Sequence, residues 1–169
     1  MNQSAGIRIV DHDPRWPNRF DVEADKIKNA LGPKVLRLEH TGSTSVPGLA
    51  AKPIIDMLLV VTNSAEENSY TPALEAIGYT LRIREPEWHE HRMFKGPEDD
   101  VNLHVFSEAC PEIDRVLVFR DWLRHNAADR DLYAQTKLAL ARKQWDSVDD
   151  YAMAKTEVIE EILRRAMRP

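Results

Sequence analysis

The sequence predicts an α+β fold: a mixed sheet with flanking helices, followed by a helical C-terminal part. Three observations carry this. Apolar runs of strand length alternate with helical-period segments through residues 7–106. One run, residues 53–61, is almost continuously apolar, which marks a central strand covered on both faces. From Pro111 onward only the helical period recurs, so the helices gather at the end of the chain.

The elements follow in order. Ile7, Ile9 and Val10 suggest a short opening strand or extended arm. After Asp13-Pro14-Arg15-Trp16-Pro17, Asn18 is placed to cap a helix over about 19–31. Phe20, Ala24, Ile27 and Leu31 share its inward face, and Gly32-Pro33 ends it. Residues 35–40 and 53–61 read as strands around the loop HTGSTSVPGL (40–49). A helix from about Ser69 or Pro72 to Ile77 stops at Gly78. Residues 79–84 and 91–95 suit paired strands, separated by the polar stretch EPEWHEH. A turn at 96–100 leads into 101–106, which alternates cleanly. Pro111-Glu112 opens a helix carrying Ile113, Val116, Leu117, Phe119 and Leu123. A corner at 126–129 precedes a second helix, with Leu132, Leu138 and Ala139 inward. A third begins near Ser147 and carries Tyr151, Ala154, Val158, Ile162 and Ala166. There is no internal repeat.

Bulk properties narrow the function. A length of 169 residues suits a single domain, 1–169, with a core of about 1–107 and a helical subregion of about 111–166. Hydrophobic residues at 43% and charged residues at 30% match an ordinary globular protein. The formal net charge of -5 argues against a non-specific nucleic-acid binder, which carries a basic excess. A small dissolved partner is favoured over a nucleic acid or a membrane. One cysteine, Cys110, permits no intramolecular disulfide, in keeping with a cytoplasmic protein. The opening MNQSAGIRIVDHD lacks the basic start and apolar core of a signal peptide. The longest apolar run, residues 57–61, is far too short to span a bilayer. A homodimer is the default oligomer.

The loop at 40–49 has two readings. Gly, Pro, Ser and Thr cluster wherever a chain turns. The same residues directly after a strand can cradle phosphate: Gly42 lets a ligand approach, backbone N–H groups point at it, and Ser43, Thr44 and Ser45 add hydroxyls. Lys52 adds a positive charge. The loop is not a Walker A motif, because G-x-x-x-x-G-K-[ST] is absent. Asp56 lies inside the most apolar strand, where an acid is unfavourable unless it emerges at a rim to do chemistry or pairs with Arg37 or Lys52.

Other candidates are more ambiguous. His89 and His91 flank Glu90 at a spacing that can bind metal on a strand, with no third partner nearby. Arg92 suits a phosphate clamp. Arg120 and Arg124 lie four apart on a helix and can grip an anion, or face solvent. Lys137 and Lys155 either snorkel or point into a cleft. Tyr133 and Tyr151 read as core edges or lid contacts.

Over nearly its whole length the sequence closely resembles the GrpB-like proteins, whose fold belongs to the nucleotidyltransferase superfamily. The carrying stretches are IVDHDPRWPNRF, EHTGSTSVPGLAAKPIIDMLL, VNLHVF, FRDWLR, LYAQTKLALA and YAMAKTEVIEEI. The resemblance implies a minimal nucleotidyltransferase-like mixed sheet, a bound nucleotide or phosphorylated small molecule, and Mg²⁺ or Mn²⁺. Gly42-Ser43 looks like the superfamily's glycine-serine pair, and Asp56 like the first of two acids one residue apart. Alternate strand residues share a face, which is how such acids hold one ion. Here the next same-face residue is Leu58, and Asn102, His104 and Phe106 of the later strand include no acid. The implied constellation is therefore Asp56 and His104, as metal ligands or as a carboxylate-oriented base, with Glu39 or His40 beside them. Ser43 and nearby N–H groups would hold the phosphate chain, and Lys52, Arg92 and Arg120 would neutralise it. The implied activity is nucleotidyl transfer to a small acceptor. Nucleotide binding without turnover, a different group transfer or ligation, and a purely structural role are the alternatives.

Overall fold

The structure, a computed structural model, describes residues 8–143 and 148–168. Strand β1 (Arg37–Thr41) runs antiparallel to β2 (Ile55–Val61), which pairs in parallel with β5 (Val101–Ser107). Beyond β5 lie β4 (His91–Lys95) and then β3 (Thr80–Glu85), both pairings antiparallel, giving the order β1-β2-β5-β4-β3. The apolar run at 53–61 is indeed central. Its parallel pairing with β5 requires a crossover, which the intervening helix and β3–β4 hairpin supply.

Alternation along β2 and β5 divides the sheet into two faces. Ile55, Met57, Leu59 and Val61 join Val101, Leu103 and Val105 under α1 (Trp16–Leu31) and α2 (Thr71–Ala76). The face of Asp56, Leu58 and Val60, matched in register with Asn102, His104 and Phe106, is covered only in part. There Leu58, Val60 and Phe106 pack on Ile113 and Leu117 of α3 (Pro111–His125). Asp56 and His104 remain near the open end.

Helix α1 starts three residues before the expected bound. Pro17 lies in its first turn, Arg15 sits at the cap position without a side-chain cap bond, and Trp16 N–H bonds to Asp13 C=O at 3.1 Å. Asn18 is therefore inside the first turn and does not cap. Val10 bridges Ala51, so the opening arm is real there, while Ile7 lies outside the described residues. Asn126 is the hinge of the later corner: its Oδ1 accepts from Asp129 N–H at 2.9 Å and caps α4 (Ala127–Ala141). Helix α5 (Val148–Ala166) follows, and Ser147, its expected start, lies outside the described residues.

The loop after β1 is not a free connector. Val46 and Leu49 are buried against Leu123, Tyr133, Val158 and Ile162, so the loop ties the sheet to α3, α4 and α5. Among the described residues, no helix is long and apolar enough to cross a membrane.

Candidate functional site

Thr41, the last residue of β1, stands opposite Asp56. The chain then turns at Gly42 with φ +67°, a left-handed conformation that side chains disfavour. A Cβ at this glycine would lie 2.5 Å from Asp56 Oδ2. Gly42 is therefore required twice, for the turn and for the carboxylate packed on it.

The loop hydroxyls divide into two groups. Ser45 Oγ donates to Gly42 C=O, and Thr44 Oγ1 donates to Ile54 C=O at 3.0 Å; both residues are buried. These two hydroxyls, expected on phosphate, instead hold the loop's own backbone. Because Thr44 donates to the carbonyl, His40 Nε2 must be the donor in its 3.0 Å contact with Thr44 Oγ1. Burial pushes the His40 pKa down to about 4, and its ring stacks on Phe20. His40 is a strut of the loop.

Ser43 faces elsewhere. Its Oγ accepts from Lys137 Nζ at 2.8 Å, and the same ammonium donates to Ala50 C=O at 2.7 Å. Lys137 is 2% exposed. Burial, with Lys155 and Lys52 nearby, lowers its pKa to about 7, against the pull of Asp56. Burial and Lys52 likewise lower Lys155 to about 8. Lys52 and Lys155 both lie over the Tyr151 ring, at 5.5 and 4.9 Å. Two helices and the loop thus bring three cations to one flank of Asp56.

On the other flank, His104 Nε2 is 3.5 Å from Asp56 Oδ1. His104 Nδ1 is 3.0 Å from His91 Nε2, and His91 Nδ1 is 2.7 Å from Glu85 Oε1. The partners assign the protons. A carboxylate accepts, so His91 Nδ1 carries hydrogen. Neutral His91 then accepts at Nε2 from His104 Nδ1–H, and His104 Nε2 is the ring nitrogen that faces Asp56. Burial lowers the His91 pKa, which favours this neutral form.

These rings border a cavity of about 320 Å³ whose walls include Asp56, Leu58, Trp88, His91, His104, Phe106, Glu112 and Val116. Trp88 stands on a short loop where His89 and Glu90 both take positive φ, 57° and 50°. Such conformations are strained for non-glycine residues. Burial pushes the Glu112 carboxyl upward against the nearby Arg115.

The remaining expected residues lie outside this pair of flanks. Glu39, expected as a third metal ligand, is engaged by Arg120 at 2.7 Å and Arg37 at 3.3 Å. Arg120 also donates to His40 C=O at 3.0 Å, and Arg124 Nε donates to Ser45 C=O at 3.0 Å. Both arginines brace the loop from outside. Arg92 leaves β4 one residue out of phase with His91, toward the opposite face of the sheet. There it is buried and paired with Glu67 and Glu90. His89 and His91 do not converge on a metal: the His89 ring meets Trp88, and His91 is held by Glu85 and His104.

Sequence reasoning missed Trp88, Glu112 and the link from His91 to His104. The first two come from a loop and a helix start far apart in sequence. The link was detectable only as parity, since His91 and His104 occupy the same face of strands whose adjacency was unknown. Asn102 was seen as a non-acid. Its Oδ1 is buried without a hydrogen-bond partner, on the strand position next to Asp56.

Among the described residues, no group of three His, Cys, Asp or Glu side chains could hold a metal. Asp56 with the orphaned Asn102 oxygen still fits a hard divalent cation of the kind completed by water and phosphate oxygens.

A solved structure of the conserved protein GrpB from Enterococcus faecalis superposes with a TM-score of 0.81 at 34% identity, covering 95% of this chain and 100% of that one. The Cid1 poly(U) polymerase with Mg and 3'-dATP bound matches with a TM-score of 0.60 at 14% identity, over 86% of this chain and 49% of that one, a likeness of fold alone. A UPF0157 protein of Halalkalibacterium halodurans is 60% identical over 163 residues, 96% of this chain and 84% of its own. With the GrpB protein family model matching residues 6–165, the chain belongs to the GrpB family and shares the fold of the nucleotidyltransferase superfamily.

Proposed function

We propose that the protein binds a nucleotide by its phosphates and transfers a nucleotidyl group to a small acceptor. The observation that carries this reading is the position of Lys137 and Lys155. Lys137 is a buried ammonium group beside Ser43 and Lys155 a half-buried one near it, both held below the ordinary lysine value on one flank of Asp56. Burying cations together costs free energy unless an anion joins them. A polyphosphate supplies that anion, and Ser43 offers it a hydroxyl.

His104 serves as the base in this reading. Its Nε2 lone pair takes the proton of the acceptor's O–H or N–H as that atom bonds to the α-phosphorus. The bond from phosphorus to the leaving pyrophosphate oxygen breaks, and the pyrophosphate keeps the electron pair. Glu85 and His91 act as positioning residues by fixing the His104 tautomer. Mg²⁺ or Mn²⁺, held at Asp56 and Asn102 together with phosphate oxygens, would neutralise charge on the transferring group.

Leu58 favours a second reading, binding without turnover. It is buried at the same-face position two residues after Asp56, where a second acid would reinforce the metal site.

Thermal shift against nucleoside di- and triphosphates, with and without Mg²⁺ or Mn²⁺, tests the binding step in wild type and Asp56→Ala. Saturation at about 100 times Kd would stabilise the protein by about 2.7 kcal/mol. A metal-dependent shift lost in Asp56→Ala supports the site. Radiolabelled nucleotide with candidate acceptors then separates transfer from binding alone. Absence of any nucleotide shift would sink both readings.

A further inference from the structure

We propose that the cavity bounded by Trp88, Phe106, Val116 and Glu112 is the acceptor subsite, and that it takes a small organic cation with an apolar body. The inference rests on the nucleotidyl-transfer reading and names the substrate class that the reading leaves open.

Polarity is the first argument. The two flanks of Asp56 have opposite character. Among the described residues, none of Lys52, Lys137 and Lys155 borders the cavity, and neither does any arginine. The carboxylates that line it there are Asp56 and Glu112. Glu112 shares a single guanidinium with a second acid: Arg115 lies 3.6 Å from Glu112 and is also paired with Glu160. The α3 side of the cavity thus carries a carboxylate excess. It would repel the phosphates of a nucleic-acid acceptor and attract an ammonium group.

Shape is the second. Trp88 meets Phe106 edge-on at 5.8 Å and His91 edge-on at 5.2 Å, while Phe106 lies 4.9 Å from His91. Leu58 and Val116 complete an apolar wall. A volume of about 320 Å³ lies at the small end of ligand pockets, enough for a single-ring compound and too small for an oligonucleotide. Aromatic faces beside a carboxylate suit an ammonium group on an apolar stem.

Aim is the third. His104 and Asp56 both border this cavity, so an occupant lies against the proposed base, with the lysine flank beyond. The loop that sets the Trp88 wall carries the two positive-φ residues, and Ser64 Oγ holds Glu90 C=O at 2.7 Å. Strain maintained in this way needs surrounding structure to enforce it.

Saturation-transfer NMR titrations of the full chain with phenethylamine, 2-phenylethanol and 3-phenylpropanoate test the proposal. The three probes share a ring and differ in charge. Wild type is expected to bind phenethylamine at least about fivefold more tightly than 3-phenylpropanoate, and Glu112→Gln to lose that preference. Trp88→Ala should weaken phenethylamine and 2-phenylethanol alike, by at least about fivefold. Trp88 is 42% exposed, so this variant tests the wall with little demand on the core, and a thermal melt of each variant checks folding. Equal or tighter binding of the anionic probe overturns the proposal. So does phenethylamine binding that both variants leave unchanged. ATP titrated separately distinguishes the two failures: ATP binding without amine preference refutes the acceptor subsite alone, and amine preference without ATP binding refutes the nucleotide reading.

Discussion

His104 Nε2 faces Asp56 Oδ1 at 3.5 Å, while its Nδ1 lies 3.0 Å from His91 Nε2, one strand away. Glu85, two contacts back along the same chain, accepts from His91 Nδ1 and sets its direction.

This tautomer is measurable. In wild type at neutral pH, ¹⁵N spectra of the histidine rings are expected to show His104 protonated at Nδ1. In His91→Leu the His104 ring should turn over to the Nε2–H form, which donates to Asp56. Unchanged His104 nitrogen shifts in that variant would remove His91 from the positioning role.

Phosphate binding should be coupled to proton uptake. Lys137 and Lys155 have pKa values of about 7 and about 8, so both are partly neutral near pH 8. A bound anion favours the charged forms and raises both values. Calorimetry of nucleotide binding at pH 8, in buffers of different ionisation heat, should show net uptake approaching one proton or more. Zero uptake would place the phosphates elsewhere.

Lys137→Met should trade function for stability. An ordinary lysine value of 10.5 falls to about 7 in the folded protein. The unfolded chain therefore holds more protons between these values, and stability rises with pH from about 7 to 10.5. The difference corresponds to about 5 kcal/mol of cost at neutral pH. Loss of the Ala50 C=O partner returns about 1–3 kcal/mol of that. A gain of about 2–4 kcal/mol is expected in denaturant melts at pH 7, with nucleotide affinity falling at least about tenfold. Destabilisation of the variant would contradict the account of the cluster.

Acid should loosen the loop through His40. Its pKa drops from 6.5 to about 4 on folding, chiefly by burial. The unfolded chain binds the extra proton between these values, so this contribution to stability is complete above pH 6.5 and lost as pH falls to about 4. The slope integrates to about 3 kcal/mol. His40→Gln, which can still donate to Thr44, should flatten the pH 4–6.5 segment of the stability curve.

Gly42→Ala should cost about 1–3 kcal/mol from the left-handed backbone alone. The 2.5 Å approach to Asp56 Oδ2 adds displacement of that carboxylate, so metal-dependent nucleotide stabilisation should disappear even where the variant folds.

What the sequence determined by itself is local. The periods of α1, β2, β5 and the three C-terminal helices were legible because each buries a regular face, and regularity along the chain is what a sequence records. Gly42, Ser43 and Asp56 were legible because each breaks its local rule: a glycine-rich turn after a strand, and an acid in an apolar run. What only the tertiary structure decided is convergence. Asn18 yielded its cap role to a helix that began earlier, at Trp16. Arg92, Arg120, Arg124 and Glu39 carry charges that suit phosphate or metal, yet strand parity and mutual pairing spend them on bracing the sheet and the loop. Lys137, from the other end of the chain, takes the position beside Ser43. Whether a charged side chain meets a ligand or a neighbour depends on which partners arrive within hydrogen-bond reach. That is fixed by strand order and helix docking, which sequence spacing does not contain.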